Sequence, residues 1–197
     1  MGNSPEKNSR YEVRIAGSGG QGIILAGIIL AEAAILDGKY VAQTQNYGPE
    51  ARGGNSVSEV VVSDTEIDYP QAVQLDLLLA LTQEACVKNL RALKEGALVI
   101  VDSSRVGWVP WNRVARVSFE QIARNAGEIR AVNMAALGAV ASLCPIATAD
   151  SLVAVMGKRL PPSKVEKNVL AFREALQAAE GLRDSLAAVE TKDEFEI

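Results

Sequence analysis

Residues 11–36 read YEVRIAGSGGQGIILAGIILAEAAIL, and the order of residue types along them decides the fold. Val13 and Ile15 alternate with polar neighbours as a half-buried strand does. The six residues 17–22 are nearly all glycine, and an apolar segment of helical length follows. Strand, glycine turn and helix in that order open an α/β protein. Gly17, Gly19 and Gly22 fall on the G-x-G-x-x-G spacing of a nucleotide-binding turn, where missing side chains let backbone N–H groups approach a phosphate at a helix N-terminus. The same glycines also suit a pure packing role, because a strand that turns tightly into a helix needs residues without a Cβ. The motif by itself leaves both roles open.

The chain has 197 residues, 48% hydrophobic and 22% charged, which is enough to bury the core of one globular domain. Its longest apolar run, 23–36, contains Glu32 and is shorter than the ~20 residues of a bilayer span, so it reads as a buried helix and no membrane partner is expected. The N-terminal MGNSPEKNSR is polar, lacks the apolar core of a signal peptide, and has Glu6 where a myristoylation signal has Ser or Thr. A cytoplasmic protein is predicted. The net charge of −4 is accounted for by residues 184–197, and no basic stripe stands out elsewhere, so nucleic acid is not an expected partner. Residues 183–197 read as a solvated acidic tail, with a docking element as the alternative, and residues 1–10 as a disordered N-terminal tail.

There is no histidine, which removes the commonest general base and the commonest metal ligand together. Cys86 and Cys144 stand far apart and form no C-x-x-C pair, so this chain alone cannot supply the four thiolates of an iron–sulfur cluster. Both cysteines lie in apolar helical surroundings and are expected to be reduced core thiols.

Residues 39–45 read as a short second strand leading into QNYGPEARGGN at 45–55. Gly48, Pro49, Gly53 and Gly54 exclude a helix there and set a bent loop. Asn46, Tyr47, Glu50 and Arg52 give it a polar reach that a plain hairpin connection does not need. Residues 56–63 and the buried run 75–81 read as strands. Thr82 is a plausible cap for a helix over 83–93 that Gly96 stops. Residues 97–101 form the next strand and end at Asp102-Ser103-Ser104, at the sheet edge where open α/β folds bind ligands; a simple turn role is the alternative for Asp102. Pro110 between Trp108 and Trp111 marks a packing or partner-facing loop. A strand at 114–117 precedes Ser118 and Gln121, a capping box for a short helix to Asn125. Asn133 opens a helix whose Ala135, Gly138, Ala139 and Ala141 allow close packing. Another helix starts at Asp150, and Ser163 with Glu166 makes a second capping box for a helix with Val165, Val169, Phe172 and Leu176 on one stripe. The pattern predicts one α/β domain: an open Rossmann-like sheet, mostly parallel, with helices on both faces.

A dinucleotide-binding unit carries an acid about 20 residues beyond its glycines, and here the second strand ends in Gln43, Thr44 and Gln45 instead, which argues against a dehydrogenase. Two stretches taken together, Gly17-Ser18-Gly19-Gly20-Gln21-Gly22 before an apolar helix and Tyr47-Gly48-Pro49-Glu50-Ala51-Arg52-Gly53-Gly54 before a strand, resemble the gamma subunit of 2-oxoacid:ferredoxin oxidoreductases. The resemblance covers residues 11–182, and Gln43-Thr44-Gln45 is most similar to the 2-oxoglutarate members; pyruvate, branched-chain and indolepyruvate enzymes share the same loops. It implies a complex of ferredoxin-linked anaerobic metabolism in which alpha, beta and delta-type subunits hold thiamine diphosphate and iron–sulfur clusters, ferredoxin takes the electrons, and this chain, without a cofactor of its own, helps form the coenzyme A side of the active site. The residues implied in that role are Gly17, Ser18, Gly19, Gly20, Gln21, Gly22, Tyr47, Glu50, Arg52, Gly53 and Gly54. A stand-alone nucleotide-binding protein and a purely structural scaffold subunit are the competing readings, and for Arg52 the competing role is an internal contact with Glu50.

Overall fold

The computed structural model describes residues 10–47 and 55–193. The opening unit folds as its sequence predicts, with β1 at Tyr11–Ser18 and α1 at Ile23–Leu36. Then follow β2 (Tyr40–Tyr47), β3 (Asn55–Ser63), β4 (Leu75–Ala80), α2 (Gln83–Asn89), β5 (Leu93–Asp102), β6 (Val114–Val117), α3 (Phe119–Asn125), α4 (Val132–Leu143), α5 (Ala149–Arg159), α6 (Pro162–Glu180) and α7 (Arg183–Asp193). The six strands form one sheet in the order β2-β3-β1-β4-β5-β6. β1, β4, β5 and β6 pair in parallel, while β3 runs antiparallel to both of its neighbours, β1 and β2. An α/β architecture with a mostly parallel sheet is what the pattern predicted. The insertion of one reversed strand is additional.

Alternate residues of each strand serve opposite faces. Val13, Ile15, Leu77, Leu79, Leu98 and Ile100 belong to the larger core, which they share with α1, α3, α4, α5 and α6. Ala16, Leu78, Ala80, Val99 and Val101 belong to a smaller one, closed by Ala85 and Cys86 of α2 and by Val106. Trp111 packs there with its indole N–H donated to the Ala97 carbonyl at 2.7 Å, whereas Trp108 is exposed and its backbone is held by Gln83. Both cysteines are free and buried, and burial pushes the Cys144 thiol up to about 11.

Several local expectations are corrected. β2 runs on through Tyr47, so Asn46 and Tyr47 belong to a strand that pairs residue by residue with β3, and only residues 48–54 of the expected loop remain, outside the described residues. α2 stops at Asn89, and Gly96 lies within β5, where the register against β4 shifts. Its φ of +72° fits a bulge, not a helix stop. Thr82 caps α2 as expected, through the Ala85 N–H at 3.2 Å. Neither capping box forms. Ser118 Oγ bonds Ser103 Oγ at 2.7 Å, and α6 starts at Pro162 with no side-chain cap. The acidic stretch expected as a solvated tail is helical over Arg183–Asp193, with Leu186 buried and Arg183 donating to the Ser142 carbonyl. Of the expected N-terminal tail only Arg10 is described; it bonds Glu12 and the carbonyls of Tyr69 and Gln71.

Candidate functional site

At the end of β1 the chain reverses through the glycine turn, and one side chain closes it. The Ser18 N–H donates to Gln21 Oε1 at 2.7 Å, and the Gln21 N–H donates back to the Ser18 carbonyl at 3.2 Å. A Cβ on Gly17 would stand 2.5 Å from that amide oxygen and 2.8 Å from Ile23 Cδ1, so the position admits only glycine without rearrangement. Gly22 precedes α1 in the left-handed region at φ 71°. Its carbonyl accepts the Asn133 side-chain amide at 3.0 Å, and a Cβ would overlap that same amide. Gly17, Gln21 and Gly22 therefore build the turn, while Gly19 and Gly20 are its exposed surface. No side chain caps α1, so the positive end of its dipole is presented at the turn.

The turn shares a cleft of about 200 Å³ with residues distant in sequence: Gly20 and Gln21 face Asp102, Arg105, Glu120, Arg130 and Val132. Asp102 is 1% exposed. Its Oδ1 accepts the Ser104 N–H at 2.9 Å, its Oδ2 the Glu120 N–H at 3.2 Å, and its carbonyl the N–H groups of Arg105 and Val106. Burial raises its pKa, and the two backbone hydrogen bonds only partly oppose this. These contacts give Asp102 the turn role weighed as the alternative, and they fix the loop that carries Arg105. Arg105 Nε donates to Glu120 at 2.6 Å and Arg124 to the same carboxylate at 3.1 Å, which holds the Glu120 carboxyl below the usual range, the Arg105 bond being the largest cause. Arg130 stands exposed on a 3₁₀ turn, Ile129–Ala131, with no ion pair of its guanidinium among the described residues. The Arg130 guanidinium beside an uncapped helix N-terminus suits a phosphate or a similar anion, while Arg105 is paired with Glu120.

Strand register brings the end of β2 and the start of β3 beside the glycine turn. Gly17 pairs with Ser56, which pairs in turn with Tyr47, and Ser18 pairs with Asn55. The last residue of β2, the first residues of β3 and the start of the glycine turn thus lie at one edge of the sheet. Glu50, Arg52, Gly53 and Gly54 lie outside the described residues, and Tyr47 ends β2 opposite Ser56. Sequence reasoning missed Arg105, Arg130 and Asn133. The first two are ordinary surface arginines until the topology places them. Asn133 carries a local signal, a lone amide opening an otherwise apolar helical run.

A model of the family described as pyruvate ferredoxin/flavodoxin oxidoreductase matches residues 12–178. The chain is 42% identical over 179 residues to the 2-oxoglutarate synthase subunit KorC of Methanocaldococcus jannaschii, covering 88% of this chain and 96% of that one. In structure it is similar to the gamma subunit of a keto/oxoacid ferredoxin oxidoreductase from Geobacter sulfurreducens, with a TM-score of 0.78 and 42% identity over 87% of this chain and 99% of that chain. It is also similar to a 2-oxoglutarate:ferredoxin oxidoreductase from Magnetococcus marinus whose structure has 2-oxoglutarate, coenzyme A and succinyl-CoA bound; there the TM-score is 0.76 at 26% identity, covering 92% of this chain and 32% of that longer one.

Proposed function

The chain belongs to the pyruvate ferredoxin/flavodoxin oxidoreductase family, and from that membership we propose that it is the gamma subunit of a 2-oxoglutarate:ferredoxin oxidoreductase. The observation that carries this reading is the 42% identity to a KorC subunit that spans nearly the whole of both chains. The assembled enzyme would convert a 2-oxoacid to carbon dioxide and an acyl-CoA, and two electrons would leave for ferredoxin. Thiamine diphosphate and iron–sulfur clusters would supply the decarboxylation and electron-transfer chemistry from alpha, beta and delta-type subunits. This chain's residues do not fit a cluster: it has two cysteines, both buried, and no histidine. Among the described residues no helix is long and apolar enough to cross a membrane, and we place the complex in the cytoplasm. Residues 11–182 form the gamma-type domain in this proposal, with residues 1–10 and 183–197 as its extensions.

The chain's own part lies on the coenzyme A side. Gly17, Ser18, Gly19, Gly20, Gln21 and Gly22 present the positive end of α1, Arg130 adds charge in the same cleft beside the Arg105–Glu120 pair, Tyr47 ends β2, and Glu50, Arg52, Gly53 and Gly54 follow it in the sequence. Coenzyme A carries phosphates, and a charge-assisted bond to one is worth about 1.5–3 kcal/mol. In the complex reconstituted with its partner subunits, Arg130→Ala or Arg52→Ala should therefore raise the coenzyme A concentration needed for half-maximal ferredoxin reduction by roughly ten- to a hundredfold, since ~1.4 kcal/mol is tenfold. Unchanged coenzyme A dependence in both variants, with a lowered melting temperature of the subunit, would assign these arginines to structure alone.

A further inference from the structure

Asn133 joins two sides of the cleft that the chain supplies from distant parts of its sequence. Its side-chain amide donates to the Gly22 carbonyl at 3.0 Å across 111 positions, and its Oδ1 accepts the Met134 N–H at 3.0 Å. At 5% exposure the amide is cut off from water, so both of its ends need partners, and both have them. The Gly22 carbonyl also accepts the Ala26 N–H at 2.9 Å. Asn133 therefore holds α1 at the carbonyl where the helix begins, beside the uncapped N–H groups that face the cleft.

The same short stretch carries Arg130. The 3₁₀ turn Ile129–Ala131 runs directly into α4, and Ile129, Arg130 and Val132 line the cleft opposite Gly20 and Gln21. Ahead of Arg130, the Glu128 carboxylate accepts the Arg130 N–H at 3.2 Å and meets Lys164 Nζ of α6 at 3.4 Å. Glu128 thus fixes the stretch toward α6, and Asn133 fixes it toward the glycine turn. α4 itself lies mainly against α6, so its packing does not set the second spacing. The approach to the turn depends on Gly22, where a Cβ would stand 2.3 Å from the Asn133 amide nitrogen.

We infer that Asn133 is a positioning residue: it sets the distance between the Arg130 guanidinium and the N-terminus of α1, so that both act on one phosphate group. The inference rests on the coenzyme A reading above, which assigns these two positive groups to that phosphate. Two donors on separate elements share an anion only when their spacing matches it, because hydrogen bonds weaken steeply with distance and misalignment. Asn133 acts through Arg130 and the turn. An amide that merely stabilised the fold would lower the melting temperature of the subunit and leave its response to coenzyme A alone.

The test is a cycle of Asn133→Ala, Arg130→Ala and the double variant in the complex reconstituted with its partner subunits, read as half-saturating coenzyme A and turnover in ferredoxin reduction. Asn133→Ala should raise half-saturating coenzyme A by roughly three- to tenfold, with turnover at saturation within about twofold of the wild type. Added to Arg130→Ala, it should raise the requirement by less than about twofold more, because the group it positions is gone. Asn133→Ser, which keeps a shorter polar side chain at the buried position, replaces the alanine variant if that one does not assemble. Single effects that multiply in the double variant, or a lowered melting temperature with unchanged coenzyme A dependence in Asn133→Ala, would overturn the inference. A shift with Arg130→Ala but not with Asn133→Ala would overturn it as well and leave the coenzyme A reading standing. Titration of the full chain with inorganic pyrophosphate separates the two in the other direction. Binding weakened by either substitution and no further by both, beside coenzyme A dependence that neither alters, would support the positioning role and fell the coenzyme A reading.

Discussion

The two faces of the sheet come from alternate residues of the same strands and are stabilised in different ways. Beneath α1, α4 and α6 the strands contribute aliphatic side chains that are almost fully buried, and the helices lie so close that Gly138 of α4 has no room for a Cβ beside the Phe172 carbonyl of α6. On the other face β1 contributes Glu12, Arg14 and Ala16. Arg14 binds Glu59 and Asn89, Glu12 receives the Val73 and Gln74 N–H groups, and a shallow polar groove of about 500 Å³ runs past Arg14, Thr44, Glu59 and Gln71. The first face is held by packing that cannot accept an added atom. Around β1 and β3 the second is held by polar pairs near water, which contribute less per contact and tolerate more change, beside the smaller apolar core closed by α2.

If that contrast is right, the largest effect belongs to the packed face. Gly138→Val forces α4 away from backbone atoms of α6, which no side-chain rotation relieves, and should cost about 3 kcal/mol or more in urea unfolding. A loss below roughly 1 kcal/mol would mean that the helical layer yields and the faces do not differ in this way. Gly22→Ala comes next, at about 2 kcal/mol, from a left-handed φ combined with the Asn133 clash. Because Asn133 is the obstacle, Gly22→Ala with Asn133→Ala should lose less than the two single losses added together. Strict additivity in that cycle would remove Asn133 from the account.

On the polar face, Arg14→Ala leaves Glu59 without its guanidinium and should cost about 1–2 kcal/mol, whereas Arg14→Met with Glu59→Gln should recover much of it. If the paired change is worse than the single one, the ion pair itself is the stabilising element. The smallest effect is at the rim. Burial pushes the Asp37 carboxyl up, but bonds from Ser151 and Thr148 and the charge of Lys39 outweigh this and leave it below its ordinary value of 3.8. A lowered folded-state value gives stability that is present above the unfolded pKa and lost as pH falls through the folded one. Asp37→Asn should therefore flatten the stability profile below about pH 4. Asp102, raised by burial, has the opposite sign, and its contribution diminishes as pH rises past its unfolded value.

The packed face was legible from local pattern. The 14-residue stretch after the glycine turn, apolar but for Glu32, and the run of leucines at 75–81 could only be core elements, and both stand where expected. The polar face and the cleft were not, for physical reasons. Nothing in residues 55–63 records that β3 runs backwards between β2 and β1, because strand order depends on long-range pairing. The partnership of Gly20 with Arg105 and Arg130 depends on where β5 and the loop after α3 arrive. Ser118 and Ser163 had the residues of a capping box, but a neighbouring hydroxyl and a proline at the helix start decided otherwise.

The place of β1 at the centre of the sheet also has a consequence for how the chain folds. It is the first element made, yet Tyr11 pairs with Val62 and Val13 with Leu77, so one of its edges stays open for about 50 further residues and the other for about 65. Loop closure on that scale precedes any gain from pairing, which makes the nucleus slow and non-local. During that interval α1, with its single charge, is attached to an unpaired strand. The nascent chain is thus most prone to aggregate before β4 emerges, and mutations in β4 should slow folding more than those in α5 or α6.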